Sequence, residues 1–182
     1  PVAIRDLNIH EIAQLNPHQR LEIIERCKAG EPIAVMSDAG CPGVADPGAE
    51  IVALAHRTNC PVHPLVGPSS ILLALMGSGL NGQNFRFHGY PPLEPAQRDN
   101  WIKQTERDSK AQKCTQMVIE TPFRNEKLID ALLKQLSAET LLCVAWDLTG
   151  DEQQIHTRTV AQWRKQPPVP GKAPCLFLWL AS

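Results

Sequence analysis

Between residues 32 and 77 the chain twice repeats one order: a short apolar run, a loop of Gly, Pro and Ser, and a helical pattern. The first run, Pro32–Met36 (PIAVM), lacks polar alternation, as expected of a strand covered on both faces. The loop Ser37–Gly48 and a helix pattern over Ala49–Ala55 follow it. A second run, Pro61–Val66, leads into the turn Gly67-Pro68-Ser69-Ser70 and a small-residue helix through Gly77. Strand, loop, helix, repeated, is the βαβ grammar of a parallel sheet. Upstream, Asn16-Pro17 before Leu21, Ile23, Ile24 and Cys27, closed by Gly30, predicts a capped amphipathic helix.

The second half reads as another α/β unit. A strand is expected over Phe85–Tyr90, and the Pro-rich stretch Pro91–Gln97 marks a boundary between an N-terminal domain, 1–90, and a C-terminal domain, 91–182. Beyond it the pattern predicts a polar helix near Gln97–Asp108, a strand at Thr115–Glu120 and a helix at Phe123–Leu136. Strands follow at Leu141–Trp146 and Gln154–Thr159, then a short helix near Val160–Lys165 and a last strand at Cys175–Leu180. A mixed sheet is expected here.

Charge and cysteine content bound the partners. With 18 Lys+Arg against 19 Asp+Glu the formal net charge is −1, so binding that blankets phosphates with positive charge is disfavoured and any nucleic-acid contact must be local. The segment Glu94–Lys113 holds Arg98, Lys103, Arg107, Lys110 and Lys113 against Glu94, Asp99, Glu106 and Asp108, the mixture of a solvated helix face. The six cysteines, at 27, 41, 60, 114, 143 and 175, form no CxxC pair or metal-ligand spacing. They read as reduced thiols of a cytoplasmic protein without structural metal. No apolar run reaches the roughly 18 residues of a membrane span, so no membrane partner is expected. Trp101, Trp146, Trp163 and Trp179 are scattered over predicted helices and strands and read as packing residues rather than a base-stacking set.

The strongest local signal is the Ser37–Gly48 loop (SDAGCPGVADPG), placed after an expected buried strand, where open α/β sheets bind ligands. Its small residues admit a ligand to the backbone, and Asp38 and Asp46 bring carboxylates. An ordinary strand-to-helix turn uses the same residues. The loop is neither a Walker A nor a GxGxxG motif. Ser69 and Ser70 occupy the equivalent place after the next run, where their hydroxyls serve a polar ligand, cap the following helix, or both.

Taken in order, SDAGCPGVADPG, PLVGPSS, Ser78-Gly79-Leu80, FRFHGYPP, IETPFR and DLTGDEQ resemble the tetrapyrrole (corrin/porphyrin) methylase superfamily of S-adenosylmethionine-dependent methyltransferases. The branch most resembled is that of the ribosomal RNA small subunit methyltransferase I type. The resemblance runs from about Lys28 onward. It implies a two-domain α/β fold, with an N-terminal parallel sheet whose first part is missing here, a C-terminal mixed sheet, and a cofactor cleft between them. It also implies a homodimer using S-adenosylmethionine, with ribosomal RNA as an acceptor. The family opens with a strand and loop that match nothing before Pro1, so the start of the first domain is expected to be absent from this sequence.

Carried over residue by residue, the donor site falls on Ala39, Gly40, Cys41, Val44 and Ala45, with Ser69 and Ser70 from the next loop. Glu120, Asp147, Leu148 and Pro174 complete it. Methyl transfer is an in-line displacement at a sulfonium carbon, so the protein mainly positions the reactants and excludes water. A ribose hydroxyl acceptor gains from a nearby base, for which Glu120, Asp147, Asp46 and His88 are the candidates. His88 reads first as a polar residue at a strand end, and Glu120 with Arg124 reads equally as an i,i+4 pair. Two other readings remain: a methylase of a small, tetrapyrrole-like acceptor, and a non-catalytic donor-binding homologue.

Overall fold

Residues 7–182 are described by the computed structural model, and the chain divides at Pro68/Ser69 into two units, Pro1–Pro68 and Ser69–Ser182. The sequence-expected boundary at residue 90 falls within the second of these.

In the first unit, helix α1 spans Pro17–Lys28. Asn16 accepts from the Gln19 amide and Gln19 reaches back to the Asn16 amide, both at 2.9 Å, a reciprocal cap that satisfies two otherwise orphaned donors. Helix α2 covers Ala49–Arg57. The two helices share a small core in which Ile24, Ile51, Ala55 and Cys60 are buried.

Two expectations fail in this unit. Residues 32–36 and 61–66 form no strand, and so the expected N-terminal parallel sheet is absent among the described residues. A strand exists through the ladder it shares with a neighbour. Neither run is paired here, and Pro32, Pro61 and Pro64 have no N–H to contribute. Leu65 and Val66 are fully exposed rather than covered on both faces.

The second unit is built on one five-stranded sheet in the order β1-β2-β5-β3-β4, with β1 Phe85–Phe87, β2 Thr115–Glu120, β3 Leu141–Trp146, β4 Gln154–Thr159 and β5 Cys175–Leu180. β1 runs parallel to β2, whereas β5 is antiparallel to both β2 and β3, and β4 antiparallel to β3. The sheet is mixed, as the sequence predicts. Alternation sorts its side chains: Val118, Leu142, Val144, Phe177 and Trp179 face one layer, and Met117, Cys143, Ala145, Leu176 and Leu178 the other. Helices α4 (Pro95–Gln112), α5 (Asn125–Gln135) and α6 (Val160–Lys165) cover the first face, and α3 (Ser70–Ser78) the second.

β1 is shorter than expected because Gly89, at φ 69°, turns the chain, although the Ile119 amide still donates to the Gly89 carbonyl. α4 starts earlier and ends later than expected. Glu94 caps it by accepting from the Gln97 amide at 2.6 Å, Pro95 suits its first turn, and left-handed Lys113 closes it. No helix among the described residues is long and apolar enough to cross a membrane.

Candidate functional site

In the first unit the Ser37–Gly48 loop is folded by its own backbone. The Val44 amide donates to the Cys41 carbonyl, and the Gly43 amide to the Pro47 carbonyl, both at 3.1 Å. Gly40 at φ 82° has no atom within 4 Å of where a Cβ would stand, and Ala45 adopts the left-handed conformation at φ 56°. Ala39, Gly40, Val44, Ala45 and Asp46 are exposed. The Cys41 thiol lies 3.7 Å from the Pro68 carbonyl, which ties this loop to the start of the next one. Although the run before it is not a strand, the loop holds backbone and small side chains open to solvent.

Ser69 and Ser70 begin the second unit. Ser69 is the N-cap residue of α3, yet its side chain makes no capping hydrogen bond; only its carbonyl accepts, from the Leu73 amide at 2.9 Å. The capping alternative therefore does not occupy the Ser69 hydroxyl.

Strand direction gathers the remaining positions. β2 and β3 run the same way on either side of antiparallel β5, and Cys175 pairs with both Glu120 and Trp146. The Asp147 amide donates to the Pro174 carbonyl at 3.2 Å. Glu120, Asp147 and Pro174, far apart in sequence, thus meet at one end of the sheet. Leu148 tucks half-buried against the α3 layer.

The chemistry available to each differs from a simple list of bases. Glu120 is buried, and its Oε1 accepts from the Thr121 amide at 2.7 Å and from Arg124 Nε at 2.8 Å, with Arg124 Nη2 at 2.7 Å. Among the described residues Oε2 takes no partner. This is the i,i+4 pair foreseen from the sequence, and it fits a carboxylate that accepts hydrogen bonds better than one that removes protons. Asp147, at φ 51°, spends its carboxylate on the Glu152 amide at 2.8 Å and its carbonyl on the Gly150 amide at 2.8 Å. It builds a turn.

His88 is half-buried, with Nε2 2.7 Å from Gln116 Oε1 and its ring edge-on to Trp101 at 5.2 Å. Trp101 in turn meets Trp179 at 5.8 Å, so His88 belongs to the packing under α4.

Two residues at this end escaped the sequence reading. Asn125 looks like a helix-start polar residue, but it is fully buried and its Nδ2 donates to the carbonyls of Ala173 (2.8 Å) and Gly171 (3.3 Å), anchoring the loop that presents Pro174. Phe123, beside the Glu120–Arg124 pair, is 82% exposed. An exposed ring at a strand end offers a wall for a planar ligand, a role no periodicity signals.

Comparison with known proteins agrees with this architecture. Residues 3–163 match the family model of the Tetrapyrrole (Corrin/Porphyrin) Methylases. The chain belongs to that family. It is 32% identical over 146 residues, 80% of this chain and 51% of the relative, to "Ribosomal RNA small subunit methyltransferase I" of Synechocystis sp.. To the protein of the same name from Halalkalibacterium halodurans it is 28% identical over 180 residues, 97% of this chain and 60% of the relative. The chain thus spans about half to three-fifths of the length of these curated relatives. Among solved structures, the methyltransferase CobJ has the same fold, with a TM-score of 0.60 at 16% identity over 90% of this chain and 70% of that one. Cobalt precorrin-4 methyltransferase follows at a TM-score of 0.56 and 14% identity, covering 94% and 73%.

Proposed function

We propose that this chain carries the donor-binding and acceptor-recognition elements of an S-adenosylmethionine-dependent methyltransferase acting on a ribose hydroxyl of small-subunit ribosomal RNA. Family membership supports the methyltransferase reading, and the relatives' name supports the acceptor. The observation that carries the site is the meeting of Glu120, Asp147 and Pro174 at one end of the sheet.

The residues present fit the donor. Glu120 Oε2 suits a ribose diol, the open backbone at Gly40 and the exposed small residues around it suit close approach of an adenine or methionine moiety, and the Ser69 hydroxyl is uncommitted. The residues proposed to hold it are Ala39, Gly40, Cys41, Val44, Ala45, Ser69, Ser70, Glu120, Asp147, Leu148 and Pro174. When bound, S-adenosylmethionine supplies an activated methyl group with a neutral thioether as leaving group. Asp147 positions its turn, Arg124 holds Glu120 in one orientation, and Phe123 excludes water from the sheet end. The proton of the acceptor hydroxyl leaves to solvent or to Asp46, the candidate base here whose carboxylate has no hydrogen-bond partner among the described residues. The reading includes a homodimer in the cytoplasm.

The test has two stages. Calorimetric titration with S-adenosylmethionine is expected to show binding, and absence of binding by the chain at its relatives' full length overturns the enzyme reading. Label from methyl-labelled donor is then followed into ribosomal RNA from cells lacking the protein. A donor-binding enzyme that leaves this RNA unlabelled is not an RNA methylase.

A further inference from the structure

The sequence count along α4 hides a segregation of charge. Each acidic residue of Glu94–Lys113 is engaged within the protein. Glu94 caps the helix; Asp99 accepts from Gln135 Nε2 at 2.7 Å and Asp108 from Gln104 Nε2 at 2.9 Å. Glu106 accepts from the Ser137 amide (2.7 Å), the Ser137 hydroxyl (3.2 Å) and the Thr140 hydroxyl (2.5 Å). The cations are not so engaged. Lys103, Arg107 and Lys110 recur at i, i+4 and i+7, share one helix face, are exposed, and form no ion pair among the described residues.

These three cations line a groove of about 630 Å³. α4 makes one wall and the α5–β3 connection the other, fastened to α4 by the Glu106 hydrogen bonds. Glu139 on the far wall is the one other carboxylate side chain lining it. The only apolar side chains in the lining are alanines, Ala138 and Ala181. Protein-binding surfaces centre on aromatic or large aliphatic anchors, and this groove has none. Its offer is a row of cations, Lys103, Arg107 and Lys110, the chemistry that meets a phosphodiester backbone.

The groove lies at the start of β2 and β3, the opposite end of the sheet from Glu120 and Asp147. Six-residue strands separate the two ends by about 17 Å. We propose that this groove grips the RNA backbone several nucleotides away from the methylated residue, and so acts as an anchor outside the donor site. The choice of RNA rests on the function proposed above; the existence of a polyanion groove does not.

The test compares the full chain with a Lys103→Gln/Arg107→Gln/Lys110→Gln variant for binding a fluorescein-labelled single-stranded segment of small-subunit ribosomal RNA, by anisotropy between 50 and 200 mM KCl. Loss of three phosphate contacts is expected to weaken binding roughly tenfold at the lower salt and to flatten the salt slope by about 2. Donor affinity, measured separately, is expected to stay unchanged, and in a methyl-transfer assay KM for RNA rises while kcat holds. Equal affinity and slope in both proteins overturn the proposal, as does displacement of RNA by poly-L-glutamate at equal charge. RNA binding that depends on the three cations in a chain that binds no donor supports the groove while refuting the methyltransferase reading.

Discussion

Arg124 and Glu120 are joined at the carboxyl end of β2, with Arg124 Nε and Nη2 at 2.8 and 2.7 Å from the same carboxylate oxygen. The Glu120 side chain is 5% exposed, so removing its partner leaves a buried charge with a single amide donor. Arg124→Ala is expected to cost about 2–3 kcal/mol in chemical denaturation. Adding Glu120→Ala should recover part of that, and strictly additive costs would show that the two side chains are not coupled.

Asn125 fixes the loop before β5 through the carbonyls of Gly171 and Ala173. Asn125→Ala leaves both without their buried donor, at about 1–3 kcal/mol. Hydrogen exchange is expected to quicken at 171–175, next to the donor-site residue Pro174; protection unchanged there would refute the anchoring role.

Gly150 sits so that an added Cβ would land on the Asp147 carboxylate, which is itself held by the Glu152 amide. Gly150→Ala must therefore break the turn or displace Asp147, at about 1–2 kcal/mol. The outcome is read as a fall in Tm of about 2–4 °C per kcal/mol for a chain of this size.

Asn16 and Ser69 both stand at helix N-caps, but only Asn16 makes the side-chain bond. Asn16→Ala should cost about 1 kcal/mol, whereas Ser69→Ala should leave stability within about 0.5 kcal/mol. Under the proposed function Ser69→Ala instead weakens S-adenosylmethionine binding, by roughly fivefold for one lost hydrogen bond. A stability loss at Ser69 equal to that at Asn16 would contradict its uncommitted hydroxyl.

Burial pushes the Cys175 thiol from 9.0 up to about 12, against a hydrogen bond with Asn125 that lowers it. The folded state thus holds this proton more tightly than the unfolded one. Its contribution to stability is complete below about pH 9 and is lost as pH rises toward 12. Cys175 is expected to resist iodoacetamide at pH 8 in the folded protein and to react on unfolding, as peptide mass spectrometry would reveal. Rapid native-state labelling would mean the strand end is open.

The sequence by itself determined what depends on near neighbours. Asn16-Pro17 placed the start of α1, the apolar stretches Thr115–Glu120 and Leu141–Trp146 placed two central strands, and the ordered motifs placed the chain in its family. Tertiary structure decided what depends on partners distant in the chain. Residues 32–36 and 61–66 carry strand-like composition but no ladder, because a strand needs a neighbour's N–H and C=O groups and its own. Glu120, Asp147 and Pro174 become one site only because β5 runs antiparallel between β2 and β3. Along α4, charges that nearly cancel in a count are separated in space. The carboxylate of Glu106 is claimed by Ser137 and Thr140, more than thirty residues away, and the lysines and arginine beside it are left facing a groove.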